Sequence, residues 1–281
     1  MHRTDSERRR ELLERGFVRF PGVLGPEFLG RVQESARRHV AAVSAEHRAA
    51  RRSQGCIIGM TVDPLFAELV GYGPALAALG SLGYRAPCFS NGYIISKPPR
   101  GPRLYWHQDW YAWEDARSYE PEPPQVALMY YLTETTRDNG CLRVVPGSHL
   151  RYNPLHDEIG DSHRIAAVRE LEDLDHPAFS DRPDETDVPA TPGDLLVVDA
   201  RMLHAAHTNQ SDQERPMLTL WYQPDMASLP ERMQAQMYEK RQDPPDDWPD
   251  AAKRRWMSVL VRYAGDAEPL ERQPDRHPAP V

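Results

Sequence analysis

Residues 193–222 read GDLLVVDARMLHAAHTNQSDQERPMLTLWY, and this stretch decides the architecture. It opens on a Gly-Asp turn, runs through an apolar strand, leaves that strand at a histidine and enters a second strand at an arginine. Each run is too short for a core helix and is rich in β-branched and aromatic residues, so both read as strands. Upstream the texture is the same: CFSNGYIIS (88–96), QVALMYYLT (125–133) and CLRVVPG (141–147) are short β runs punctuated by Pro, Gly and Asn. From residue 88 onward the pattern predicts an all-β sandwich or barrel.

The flanks differ. Residues 5–15 predict a helix capped by Asp5 or Ser6 and stopped at Gly16, followed by a strand in FVRFPGVL (17–24). A second helix is expected after Pro26, where Phe28, Leu29, Val32, Ala36, Val40 and Val43 recur at helical spacing, and a third over 64–80. The first third is therefore expected to be mainly α. Residues 151–190 form a long polar interruption, expected to be a lid carrying Asp157, Glu158, Asp161, Glu170, Glu172 and Asp173. Helices are expected in ERMQAQMYEKRQ (231–242) and DAAKRRWMSVLVRY (250–263), and a disordered Pro-rich tail at 271–281. One domain over 1–270, with a barrel core at about 88–223, accommodates all of this.

Composition narrows the function classes. The chain has 281 residues, 40% hydrophobic, and no apolar run of membrane-spanning length. Its net charge of -8 argues against nucleic acid as a partner. The charged N-terminus lacks a signal-peptide core, and Cys56, Cys88 and Cys141 show no disulfide or zinc spacing, so a cytoplasmic setting is expected. No Gly-rich phosphate loop precedes a helix.

The chemistry-bearing candidates lie in RLYWHQDWYAW (103–113). Histidine followed two residues later by a carboxylate is weak evidence, because eleven histidines in an acidic chain give one or two such pairs by chance. Two occur, His107 with Asp109 and His156 with Glu158, and the second reads as solvated loop. The first gains weight from its β context, since a later strand can bring a third ligand opposite it. Two imidazoles and one carboxylate suit non-haem Fe(II), and zinc also accepts them. An arginine such as Arg215 can hold the remote carboxylate of a dicarboxylate cosubstrate.

Through WHQDW (106–110), NGCLRVVPGSH (139–149) and residues 193–215, the chain resembles the phytanoyl-CoA dioxygenase-like family of Fe(II)/2-oxoglutarate oxygenases, and is similar also to ectoine hydroxylase. The resemblance spans 88–223 and implies a double-stranded β-helix, a jelly-roll or cupin-like barrel with helices packed outside, mainly β with peripheral α. It implies His107, Asp109 and His204 as iron ligands and Arg215, eleven residues past His204, as the 2-oxoglutarate anchor, with Asn209 keeping the family offset. His207 is the rival ligand. Tyr93 and Met129 match positions that line the cosubstrate pocket, and Trp113, His207 and Asn91 are candidates for the substrate pocket. Ala206 replaces a serine that the family often carries two residues past the distal histidine.

The activity implied by this resemblance is that of an oxygenase using Fe(II), 2-oxoglutarate and O2 to hydroxylate a small molecule, as in secondary-metabolite biosynthesis, with release of succinate and CO2. The retained Asp109 favours hydroxylation over halogenation. Desaturation, cyclisation or epimerisation use the same ligands, and a non-catalytic metal- or ligand-binding barrel is the alternative. Asn139-Gly140 reads as a turn, His149 as either a pocket group or part of the Pro146-Gly147 turn, and Lys97 as a solvated strand end rather than a contact for an acidic substrate.

Overall fold

A computed structural model describes residues 3–278 except 161, 164, 166, 167, 169, 171–174, 272 and 274–276. Ten strands are found among them: β1 (Phe17–Phe20), β2 (Cys56–Gly59), β3 (Cys88–Lys97), β4 (Leu104–His107), β5 (Val126–Tyr131), β6 (Leu142–Val144), β7 (Thr186–Val188), β8 (Leu195–Asp199), β9 (His204–Ala206) and β10 (Arg215–Gln223). They form a six-stranded sheet in the order β1-β8-β5-β10-β3-β2 and a four-stranded sheet in the order β4-β9-β6-β7. All named pairings are antiparallel. The fold is a double-stranded β-helix with helices outside, as the resemblance implies.

The apolar runs are continuous because the large sheet is covered on both faces. Side chains alternate across a strand. Val126, Leu128 and Tyr130 of β5 and Leu218, Leu220 and Tyr222 of β10 therefore face the helical layer, where Val32, Ala36 and Val40 of helix Pro26–Ala41 are buried. The opposite set, Ala127, Met129, Tyr131, Leu196, Val198 and Met217, meets Leu142, Val144 and Val188 of the small sheet. That second layer is the barrel interior, and the site opens from it.

Several local expectations change. The first helix is Asp5–Arg15, but its cap is Thr4: the Thr4 hydroxyl accepts from the Glu7 amide and the Glu7 carboxylate accepts from the Thr4 amide, a reciprocal pair that Asp5 or Ser6 does not make. Gly16, at φ 86°, closes it. The expected helix over 64–80 is two, Phe66–Val70 and Gly73–Ser81, broken at Gly71. The first third is also less purely helical, because Cys56–Gly59 extends the large sheet by pairing with β3.

The polar stretch 151–190 contains helix Leu155–Ile159 and strand β7, which pairs with β6. His156 is buried on that helix and stacks on His277 at 4.9 Å, which overturns the solvated-loop reading for His156, whereas Glu158 is exposed as expected. Asp161, Glu172 and Asp173 lie outside the described residues, and so do parts of the expected disordered tail. Within that tail, Gln273 donates its amide to the Tyr111 carbonyl. Helices Glu231–Glu239 and Asp250–Val259 stand where expected. Among the described residues no helix is long and apolar enough to cross a membrane.

Candidate metal centre

β4 pairs with β9 so that His107 and His204 are directly opposed. Their rings lie 4.1 Å apart between centroids. Beyond His107 the chain turns sharply: the amides of Asp109 and Trp110 both donate to the Ala200 carbonyl, each at 2.9 Å. These two hydrogen bonds tie the backbone of Asp109 to the β8 exit, just ahead of His204. The Asp109 carboxylate then faces both imidazoles, with Oδ1 3.8 Å from His107 Nε2 and Oδ2 3.8 Å from His204 Nε2. Those separations are too long for hydrogen bonds. They suit donors of one shared ion, since two ligands ~2.1 Å from the same ion lie at most ~4.2 Å apart.

The rings are held in matching orientations. His107 Nδ1 is 2.9 Å from the Tyr105 carbonyl and His204 Nδ1 is 3.0 Å from the Met202 carbonyl. A carbonyl only accepts, so each Nδ1 carries the proton and each Nε2 presents its lone pair to the carboxylate side. Burial pushes the His107 pKa well below the usual histidine value, with His204 and His163 adding to the effect. The ring is therefore kept in the neutral form that binds metals. Trp221 Nε1 donates to Asp109 Oδ2 at 3.2 Å.

His163 was not among the expected residues. It lines the cavity, meets the His107 ring edge-to-face at 4.6 Å, and its Nδ1 lies 3.0 Å from the Tyr105 hydroxyl. His107, Asp109 and His163 each place a ligand atom within 4.8 Å of the other two. Nothing around a lone histidine in a polar stretch announces this position.

The cavity beside the triad has a volume of about 450 Å³. Asn91 and Tyr93 from β3, Met129 from β5, and Met217, Thr219 and Trp221 from β10 form part of its wall, together with Ala206. Tyr93 packs edge-on to Trp221 at 5.8 Å, and Asn91 donates to the Lys240 carbonyl at 3.3 Å. Arg215 opens β10 on the same face as Met217, Thr219 and Trp221. It is 4% exposed, and neither its Nε nor its Nη1 has a hydrogen-bond partner among the described residues. Burial lowers its pKa.

The loop between β9 and β10 explains the spacing of His204 and Arg215. Asn209 Nδ2 donates to the Pro98 and Gln213 carbonyls at 2.9 and 2.8 Å, while its Oδ1 accepts from the Ser211 amide at 3.1 Å. One buried side chain thus organises the connection between the two strands. Lys97, the Cα partner of Arg215, is itself buried and donates to the Pro102 carbonyl, so the solvated strand-end reading is corrected. A flanking loop covers a strand end that the local sequence leaves open.

Arg215 shares the face of Met217, Thr219 and Trp221 without being among the residues that line the cavity, and two substrate-pocket candidates lie elsewhere. Trp113 is fully buried in a cluster with Trp110, Met226 and Met233, outside the cavity lining, where apolar packing accounts for it. His207 also lies outside the lining: its Nε2 meets Asp187 Oδ1 at 2.5 Å, tying the β9 exit to β7, while Cys141 is close by. Gly140 has φ 90°, as the Asn139-Gly140 turn requires, and a Cβ there would stand 2.9 Å from the His207 carbonyl. His149 is buried against the Leu13 carbonyl at 3.0 Å.

The fold and this cluster define a double-stranded β-helix protein with two imidazoles and one carboxylate converging at the barrel mouth. The phytanoyl-CoA dioxygenase (PhyH) family profile matches residues 12–217, and the chain belongs to that family. It is 30% identical over 165 residues to phytanoyl-CoA dioxygenase 1 of Oryza sativa subsp. japonica, covering 57% of this chain and 53% of that one. It is 30% identical over 115 residues to an ectoine dioxygenase of Nocardia farcinica, covering 39% of this chain and 38% of that one. The chain thus spans about half or less of the length of these relatives. In structure it is similar to the non-heme alpha ketoglutarate dependent epimerase SnoN from nogalamycin biosynthesis, with a TM-score of 0.59, 19% identity and coverage of 78% and 82% of the two chains.

Proposed function

We propose that this chain is an Fe(II)- and 2-oxoglutarate-dependent oxygenase that hydroxylates an unactivated C–H bond of a small molecule. The observation that carries this reading is the pairing of the His107, Asp109 and His204 cluster with a buried guanidinium that has two unpartnered nitrogens among the described residues. A buried, unsatisfied charged donor is costly, and a ligand carboxylate relieves it through paired charge-assisted bonds. The donor set suits Fe(II) with open positions for a chelating cosubstrate and O2.

In this reading His107 and His204 hold the iron through Nε2, and Asp109 supplies the anionic ligand. Arg215 holds the remote carboxylate of 2-oxoglutarate, and Met129 and Tyr93 wall the cosubstrate. When bound, the iron and cosubstrate supply the oxidation: R–H, O2 and 2-oxoglutarate become R–OH, succinate and CO2. Asn91 and Trp221 border the remaining space for the substrate. The same residues serve epimerisation, ring closure or desaturation, and the substrate's position relative to the metal selects among them. The nogalamycin-pathway likeness supports a role in secondary-metabolite tailoring, and Cys56, Cys88 and Cys141, none of them in a disulfide, support a cytoplasmic setting.

The test is succinate formation by iron-loaded protein given 2-oxoglutarate, ascorbate and O2. Slow, substrate-independent succinate is expected. Its absence, with candidate small molecules included, turns the reading to a non-catalytic binding barrel.

A further inference from the structure

We propose that His163 is a third imidazole ligand of the metal before 2-oxoglutarate binds, and that the cosubstrate displaces it; this rests on the oxygenase reading above. Tyr105 serves two histidines at once. Its carbonyl holds His107 Nδ1 at 2.9 Å, and its hydroxyl lies 3.0 Å from His163 Nδ1. Tyr105 is fully buried on the metal-bearing strand, so both contacts are fixed relative to the cluster.

A hydroxyl accepts as well as donates, so the His163 tautomer with Nδ1–H on the Tyr105 oxygen is open to it, and that tautomer carries its lone pair at Nε2. It is the tautomer that the backbone carbonyls impose on His107 and His204. The ring meets His107 edge-to-face at 4.6 Å, and His163, His107 and Asp109 each offer a ligand atom within 4.8 Å of the other two, a grouping that could hold a metal ion. His204 approaches His107 from β9, whereas His163 approaches from the segment beyond helix Leu155–Ile159.

The contact must be temporary because of the number of positions on the ion. Three protein ligands on a six-coordinate ion leave three places, two for the chelating cosubstrate and one for O2. A permanent fourth protein ligand leaves no place for O2. His163 therefore stabilises the metal only while 2-oxoglutarate is absent, and metal binding through His163 opposes cosubstrate binding. The linkage is reciprocal: whatever factor His163 adds to metal affinity, it subtracts from 2-oxoglutarate affinity.

The experiment uses the full chain with Co(II) as the probe metal, comparing the unaltered protein with His163→Ala and Tyr105→Phe. Without 2-oxoglutarate, His163→Ala is expected to weaken Co(II) binding about tenfold or more and to change the visible Co(II) spectrum. At saturating 2-oxoglutarate the affinities and spectra converge, and 2-oxoglutarate binds the Co(II) form of His163→Ala tighter by the same factor. Tyr105→Phe keeps the carbonyl that orients His107 and removes only the hydroxyl, so it shifts both affinities in the same directions by less. Equal Co(II) and 2-oxoglutarate affinities in all three proteins overturn the inference while leaving the oxygenase reading intact. Failure of the unaltered Co(II) protein to bind 2-oxoglutarate overturns both.

Discussion

Trp221 Nε1 and Asp109 Oδ2 lie 3.2 Å apart, so the inward face of β10 donates a hydrogen bond to the one carboxylate of the candidate metal cluster. A ligand's supporting hydrogen bond sets its orientation, and losing such a partner costs ~10- to 100-fold in metal affinity. Trp221→Phe keeps a large ring against Tyr93 and removes the donor. Fe(II) titration is expected to show a loss in that range; unchanged affinity would mean that the Ala200 contacts alone position Asp109.

The two histidines of the 204–207 stretch are expected to separate cleanly. His204→Ala removes the imidazole opposite His107 and abolishes stoichiometric Fe(II) binding. His207→Ala leaves Fe(II) binding intact and lowers thermal stability, because the link to Asp187 is lost, at a cost of ~1–3 kcal/mol. Fe(II) titration and thermal melts of both variants check this, and the reverse ranking would reassign the distal ligand.

Arg215→Gln retains a polar side chain and loses the charged fork. Removing one member of a buried, charge-assisted pair costs ~2–5 kcal/mol, so the KM for 2-oxoglutarate is expected to rise by roughly thirtyfold or more. Fe(II) affinity is expected to stay the same. An unchanged KM for 2-oxoglutarate would remove Arg215 from the cosubstrate pocket.

Acid sensitivity has a local source at His156. Burial, with the His277 imidazole adding to it, brings its pKa down to about 4. The folded state therefore resists protonation that the unfolded chain accepts near pH 6.5, and stability is expected to fall as pH drops from about 6.5 to about 4. That window corresponds to about 3 kcal/mol at most. His156→Asn keeps an acceptor for the Asn153 amide, which His156 Nδ1 receives at 3.1 Å, and removes the titration. The stability difference between pH 7 and pH 5 in denaturant melts is expected to shrink in the variant, with the buried His107 and His149 keeping a remainder; an undiminished difference would place the acid sensitivity elsewhere.

The long strands were legible because burial on both faces leaves continuous apolar runs in QVALMYYLT and DLLVVDA. β4, β7 and β9 are three or four residues long, below the length at which alternation can be seen. β2 hid in a helical region because only its pairing with β3 makes it a strand. At the site, the convergence of His107, Asp109 and His204 could be anticipated from the histidines' places at strand ends and from the family resemblance. The parts played by Trp221 and His163 could not: they depend on which atoms of β4 and its exit lie opposite, and no local pattern encodes that. Lys97 shows the same limit, since its burial depends on the flanking 98–102 loop that meets its ammonium, and nothing in the strand itself encodes that.

Iron binding by the His107, Asp109 and His204 cluster and cosubstrate binding by the Arg215 guanidinium are tested together, and most directly, by the anaerobic visible spectrum of Fe(II)-loaded protein titrated with 2-oxoglutarate. A metal-to-ligand charge-transfer band is expected in the unaltered chain, absent in His204→Ala and shifted to much higher 2-oxoglutarate concentration in Arg215→Gln. No band at any 2-oxoglutarate concentration in iron-loaded, unaltered protein would contradict the assignment.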